Sequence, residues 1–153
     1  MSRFLTLLLS LLFSWGCSPK EDIIEFHEFK NARWFYKDPC EFNVSISKTS
    51  VPKKLKLLLR HNGNYSFQNI QLTYKIYSPL NKLIHSQRLS YNLVSPNMNW
   101  LGESACGDLY TLVLLLNKNF LFSNHGNYRI VVGHNMRDDC RDNISEIGFI
   151  VSN

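Results

Sequence analysis

The chain has 153 residues, 44% of them hydrophobic and 19% charged, which is enough for one packed core and too balanced for a disordered segment. Its 17 Lys+Arg against 12 Asp+Glu are spread along the chain, without the clustered basic footprint of a nucleic-acid binder. No apolar run reaches the eighteen or so residues of a membrane-spanning helix, which excludes an integral helical channel or transporter.

Residues 1–16 hold one basic residue, Arg3, an apolar stretch from Phe4 to Phe13, and Ser14-Trp15-Gly16. Charge, apolar segment and small residue in that order make a secretory signal. The Gly16-Cys17 junction sharpens this to a lipoprotein signal, in which Cys17 becomes the acylated first residue. A lipobox has Leu three positions before the cysteine, where Ser14 stands, so the alternatives are an ordinary cleaved signal or a non-cleaved start with Cys17 as a bystander. Each acyl chain contributes about 0.8 kcal/mol per buried CH₂, and several together anchor stably. Residues 17–22 then form the lipidated cysteine and a polar tether, and 23–153 a single domain.

From there the chain alternates with a period of two. Phe42, Val44 and Ile46 interleave with polar residues, as do Leu55, Leu57 and Leu59, then Ile70, Leu72, Tyr74 and Ile76, then Tyr128, Ile130 and Val132, and finally Ile147, Phe149 and Val151. Such stretches present one apolar and one polar face of a strand. Weaker strands are predicted over 23–30 and 82–90. The continuously apolar 111–116 reads as a fully buried strand or a short helix. Turn residues separate the segments at Asp38-Pro39, Asn62-Gly63-Asn64, Ser78-Pro79, Ser95-Pro96-Asn97 and His125-Gly126-Asn127. Seven to eight short strands with such breaks predict one all-β domain, a single antiparallel β-sandwich of jelly-roll or immunoglobulin-like type.

Export would place Cys40, Cys106 and Cys140 in an oxidising compartment, where three thiols allow one bridge in any of three pairings, or stay as three buried thiols. Gly102-Glu103-Ser104-Ala105-Cys106-Gly107 mimics a nucleophile elbow, with Asp138 and His125 or His134 as formal partners. The elbow needs a strand-to-helix turn on a parallel α/β sheet, which this pattern lacks. A glycine turn, with Gly102 and Gly107 at positive φ and Asp108 bonding backbone amides, accounts for the same residues. The five histidines contain no close pair, and the 138–142 run lacks the spacing of a Ca²⁺ loop, so neither a metal nor another cofactor is predicted. Lys48, Lys53, Lys54 and Lys56 read either as guards of an edge strand or as a docking site for an acidic partner or anionic headgroups.

Several segments together resemble the GldH family of gliding-motility lipoproteins of Bacteroidota. They are Trp34-Phe35-Tyr36-Lys37-Asp38-Pro39; Leu59-Arg60-His61-Asn62 into Tyr65-Ser66-Phe67-Gln68-Asn69-Ile70; Trp100-Leu101-Gly102 with Gly107-Asp108; Gly126-Asn127-Tyr128-Arg129 with Asn135-Met136-Arg137; and Ile147-Gly148-Phe149. The resemblance implies a non-enzymatic lipoprotein of the cell envelope, associated with the gliding apparatus and open to a link with the coupled type IX secretion system. Its three non-leader cysteines are not part of the family pattern. Lys20-Glu21-Asp22 resembles the acidic export signals of surface lipoproteins, which favours the outer membrane and leaves the facing direction open. Trp34, Tyr65, Trp100, Gly102, Gly107, Asp108 and Arg137 are the candidate partner-binding or signature positions. In a sandwich most aromatics are core; those in loops, Trp34 to Tyr36, Tyr65 and Trp100, are either core as well or exposed, to grip other gliding or secretion proteins or, alternatively, a surface glycan. Cys17 is the lipidation site, and the membrane is reached through its palmitate and other acyl chains.

Overall fold

The computed structural model describes residues 22–47, 49–104 and 107–153, with backbone alone for 22–24. The signal at 1–16, the acyl cysteine Cys17, the tether up to residue 21, Lys48 and Cys106 lie outside the described residues.

Wherever apolar and polar residues alternate, the chain is extended and one face turns inward. The strands are β1 (Asp22–Glu28), β2 (Arg33–Phe35), β3 (Cys40–Ile46), β4 (Lys53–Asn62), β5 (Asn69–Tyr77), β6 (Leu83–Asn92), β7 (Glu103–Ser104), β8 (Leu109–Phe120), β9 (Gly126–His134), β10 (Cys140–Asp142) and β11 (Ile144–Ser152). All pairings among them are antiparallel. A single 3₁₀ turn, Lys30–Ala32, links β1 to β2.

The all-β, antiparallel expectation holds, and the strand count does not. Among the described residues, eleven strands in three sheets replace a single sandwich of seven or eight. A five-stranded sheet has the order β1-β11-β4-β8-β7, a four-stranded sheet the order β3-β9-β5-β6, and β2 with β10 forms a separate ribbon. The extra strands are two or three residues long, too short for an alternating pattern to reveal. Without them, the remaining eight have the interleaved double Greek key order of a jelly roll.

The two larger sheets share one core. Leu55, Leu57 and Leu59 of β4, Leu112, Leu114 and Leu116 of β8, and Ile147, Phe149 and Val151 of β11 face Phe42, Val44, Ile70, Leu72, Tyr74, Ile76, Tyr128, Ile130 and Val132. Phe42 and Phe149 stack across the gap at 5.7 Å. Burying each such side chain stabilises the fold by about 1.5–3 kcal/mol before entropy is counted.

Two expectations about individual strands need correcting. Strand β8 is not fully buried: Leu112, Leu114 and Leu116 point inward while Val113 and Leu115 are 58% and 40% exposed. Strand β4 is not an edge, since β11 and β8 pair with its two sides. Its lysines therefore do not guard an open edge.

The register also fixes two ends. Asp22 pairs with Val151, and Ser152 with Lys54, so the chain enters from the tether beside the start of β4. The turn after Asn62, the long connection from Asn92 to Leu109 and the turn from His134 to Cys140 all lie at the other end.

Candidate functional site

Every described signature position from the sequence collects at that far end, although not as an exposed patch. His61 continues the inward series Leu55, Leu57, Leu59 and is fully buried. Trp100 packs on its imidazole with ring centres 4.7 Å apart, Tyr110 at 5.6 Å and Tyr65 at 5.7 Å. Its Nδ1 bonds the Asn62 carbonyl at 3.0 Å, and Nε2 is buried without a partner. Burial lowers the His61 pKa, and the Asn62 bond offsets part of this.

The turn beneath this cluster is locked by asparagines. Asn62 Nδ2 donates to Asn143 Oδ1 at 3.0 Å, Asn143 Nδ2 donates to the Asn64 carbonyl at 3.0 Å, and Asn62 Oδ1 accepts from the Asn64 amide at 2.9 Å. Tyr65 is therefore held inward, its hydroxyl donating to the Asn69 carbonyl at 3.2 Å. Burial pushes its pKa up to about 12.

Trp34 sits on β2 and is wholly buried. It stacks on Phe29 at 5.0 Å, meets the His134 ring edge-on at 5.3 Å and donates from Nε1 to the Asp38 carbonyl at 3.3 Å. The exposed-platform reading thus fails for Trp34 and Tyr65, which are core residues, and Trp100 is half-buried. Exposed aromatic surface is supplied by Phe35 and Tyr36 of the same 34–36 segment, and by Phe67.

Gly102 and Gly107 adopt φ +95° and +74°, as the glycine-turn reading expects. Asp108 contributes its backbone carbonyl, which accepts from the Gly63 amide at 2.8 Å and ties the β7–β8 turn to the β4–β5 turn. Arg137 is exposed on the turn between β9 and β10.

A cleft of about 240 Å³ opens between residues 65–67 and β10. Arg141 forms one wall, with a side chain only 3% exposed. Its Nη2 donates to Asp138 Oδ2 at 2.6 Å, its guanidinium lies 4.6 Å from the Phe67 ring centre, and its Nε is buried without a partner. Asp142, on the same strand, pairs with Arg33 at 2.9 Å. Asp138 and Asp142 of the acidic 138–142 run are thus spent on ion pairs. Burial, and next the Arg141 charge, lowers the pKa of His134, which is itself buried with no well-formed hydrogen bond at either ring nitrogen.

Among the described residues no nucleophile elbow forms. Ser104 lies on a two-residue antiparallel strand and donates to the Gly107 carbonyl at 3.3 Å. Its formal partners are engaged elsewhere: Asp138 with Arg141, His134 against Trp34 and Tyr36, and His125 Nδ1 with the Ser47 carbonyl at 2.7 Å. Cys40 is buried and Cys140 partly exposed, both as free thiols, and burial raises the pKa of Cys40. The end as built is suited to recognition. It has a rigid aromatic base, a small cleft with a buried cation, and exposed Tyr36, Phe67 and Arg137 around it.

Sequence reasoning missed the burial of His61, His134 and Arg141. The first two continue inward-facing alternations, so their burial was readable. A lone arginine inside an aspartate run was the available signal for the third.

The family model described as GldH lipoprotein matches residues 23–151. Among solved structures, the chain is similar to part of one titled "Crystal structure of dimeric latent PorU from Porphyromonas gingivalis". Identity is 12% and the TM-score 0.36, over 90% of this chain and 14% of that one. The chain thus spans about a seventh of that protein's length. No match was found among curated proteins.

Proposed function

The chain belongs to the GldH lipoprotein family, and from that premise we propose that it is a non-enzymatic, gliding-associated lipoprotein that works by binding other envelope proteins. Acyl chains on Cys17 hold it at the outer membrane. The partners are proteins of the gliding machinery and of the type IX secretion system coupled to it. Confinement to a membrane raises its effective concentration for partners there, so modest contact affinities suffice.

One observation carries this reading beyond the family. The tether enters at one end of β4, while the rigid loop cluster with Trp100, Tyr36, Phe67 and Arg137 is built at the other. Nine residue steps of β4 separate the ends by about 30 Å. The recognition end is therefore clear of the anchor.

Cys17→Ala in the native host tests both halves. Membrane fractionation, spreading on agar and secretion are scored together. The variant leaves the membrane fraction and spreading fails. Retention in the membrane would refute the anchor, and normal spreading after its loss would refute the tethering mechanism.

A further inference from the structure

The strand register sorts the outward side chains of the five-stranded sheet into rows. One row runs Phe26, Gly148, Leu58, Val113 across β1, β11, β4 and β8. The next row toward the tether runs Ile150, Lys56, Leu115, and the one beyond it holds Ser152 and Lys54. On the loop side the flanking row holds Glu146 and Arg60, which pair with each other. The face is thus graded, with an ion pair at the loop end, an apolar middle and lysines at the tether end.

The apolar middle is open. Phe26, Val113 and Leu115 are all at least 40% exposed. Gly148 makes room for the aromatic, whose ring comes within 2.6 Å of where a Gly148 Cβ would stand, so Phe26 lies across β11. The charge on this face is divided. The loop-end row carries the acids Glu28, Glu146 and Glu103, with Glu146 paired to Arg60, while the tether-end rows of β4 carry Lys54 and Lys56. Lys53 and Lys54 both reach Asn153, at 2.6 Å to its Oδ1 and 3.1 Å to its backbone oxygen. Because β4 is central, edge protection does not explain Lys54 and Lys56.

We propose that this face lies on an anionic phospholipid bilayer, with Phe26, Leu58, Val113 and Leu115 at the headgroup–acyl boundary and the lysines among the headgroups. The inference rests on the lipid-anchor reading and adds an orientation to it. Cys17 precedes Asp22 by five residues, which span at most about 18 Å, so acyl chains there hold the lysine end of the face against the membrane. Apolar side chains beside long basic ones suit the bilayer boundary, where lysine stems lie along apolar surface and ammonium groups reach the phosphates. The strands then run along the membrane, and the loop end faces neighbours in the same plane.

The test uses the mature protein in its native membrane, with Val113 replaced by the photo-crosslinking residue benzoylphenylalanine. Asn43, exposed on the outer face of the other sheet, is the control position. Irradiation is expected to give about tenfold more phospholipid adduct at 113 than at 43, given an interface that reaches only 5–10 Å into the bilayer. A protein adduct at 113, including one to a second copy, would overturn the proposal, as would equal lipid yields at both positions. Lys53→Glu with Lys54→Glu should lower the lipid adduct at 113 several-fold while Cys17 keeps the protein in the membrane fraction, and an unchanged yield would also overturn it. If the unsubstituted protein is soluble, the anchor reading fails and takes this one with it. If the protein is membrane-bound and Val113 captures no lipid, this inference fails alone.

Discussion

Gly102 and Gly107 share a left-handed backbone and differ in the space around them, so paired alanine substitutions separate two causes of instability. Gly102 has φ +95°, and a Cβ built there falls 2.4 Å from the Thr111 carbonyl oxygen and 2.8 Å from Leu112 Cγ. Gly107 has φ +74° and nothing within 4 Å of the same atom. Left-handed strain alone costs about 1–2 kcal/mol for an alanine. At Gly102 the obstacle is backbone on β8, held by pairing to β4, so about 1 Å of movement must be absorbed by the sheet; overpacking of that kind adds about 1–3 kcal/mol. The expected loss is about 2–5 kcal/mol for Gly102→Ala and 1–2 kcal/mol for Gly107→Ala. Urea denaturation followed by tryptophan fluorescence measures both, with the midpoint shift read at constant slope. Equal losses would refute the steric reasoning. A larger loss at Gly107 would reverse the assignment of which glycine braces β8.

Other consequences follow from the buried groups. His61 and His134 have pKa values lowered from 6.5, chiefly by burial. Their neutral forms therefore favour the fold above about pH 6.5, and that contribution falls away as pH drops below it, by up to about 1.4 kcal/mol per unit for each histidine. Urea midpoints that stay level from pH 7.5 to 5 would contradict this. Trp34→Ala should cost about 3–5 kcal/mol, a large part of a domain's total stability, and a loss below about 1 kcal/mol would return Trp34 to a surface role. Arg137→Glu should leave stability within about 0.5 kcal/mol yet reduce capture of envelope proteins from native membranes, compared with Arg88→Glu on β6. Equal capture by the two variants would remove Arg137 from the recognition end.

Five of the eight long strands, β3, β4, β5, β9 and β11, were legible because period-two alternation is a local signal that burial on one face imposes on the chain. It reached further than the hydrophobic residues used to find it: Cys40 begins the Phe42, Val44, Ile46 series, His61 ends that of β4 and His134 that of β9, and all three are buried. What alternation does not encode is which strand lies beside which. The placement of β4 in the centre of its sheet depends on β11 and β8, some fifty to ninety residues later, so lysines that suited an edge turned out to stand on a broad face. The β2–β10 ribbon was invisible for the same reason, joining residues 33–35 to 140–142 over three pairs. With it went the burial of Trp34 and Arg141, which is why a turn-rich neighbourhood read as an exposed aromatic loop.

Strand β8 carries the discrepancy with most bearing on function. Six consecutive residues without a charge, 111–116, imply a strand covered on both faces, since leaving apolar surface in water costs about 25 cal/mol per Å². Among the described residues only one face is covered. Polar residues at 113 and 115 would satisfy the core equally well, because Leu112, Leu114 and Leu116 alone reach it. The outward Val113 and Leu115 therefore stand apart from the folding problem, as do Phe26 on its notch at Gly148 and Leu58 beside it. The sequence pattern was right that this segment is suited to an apolar environment on both sides, and the second side is the one the bilayer supplies if the proposed orientation holds.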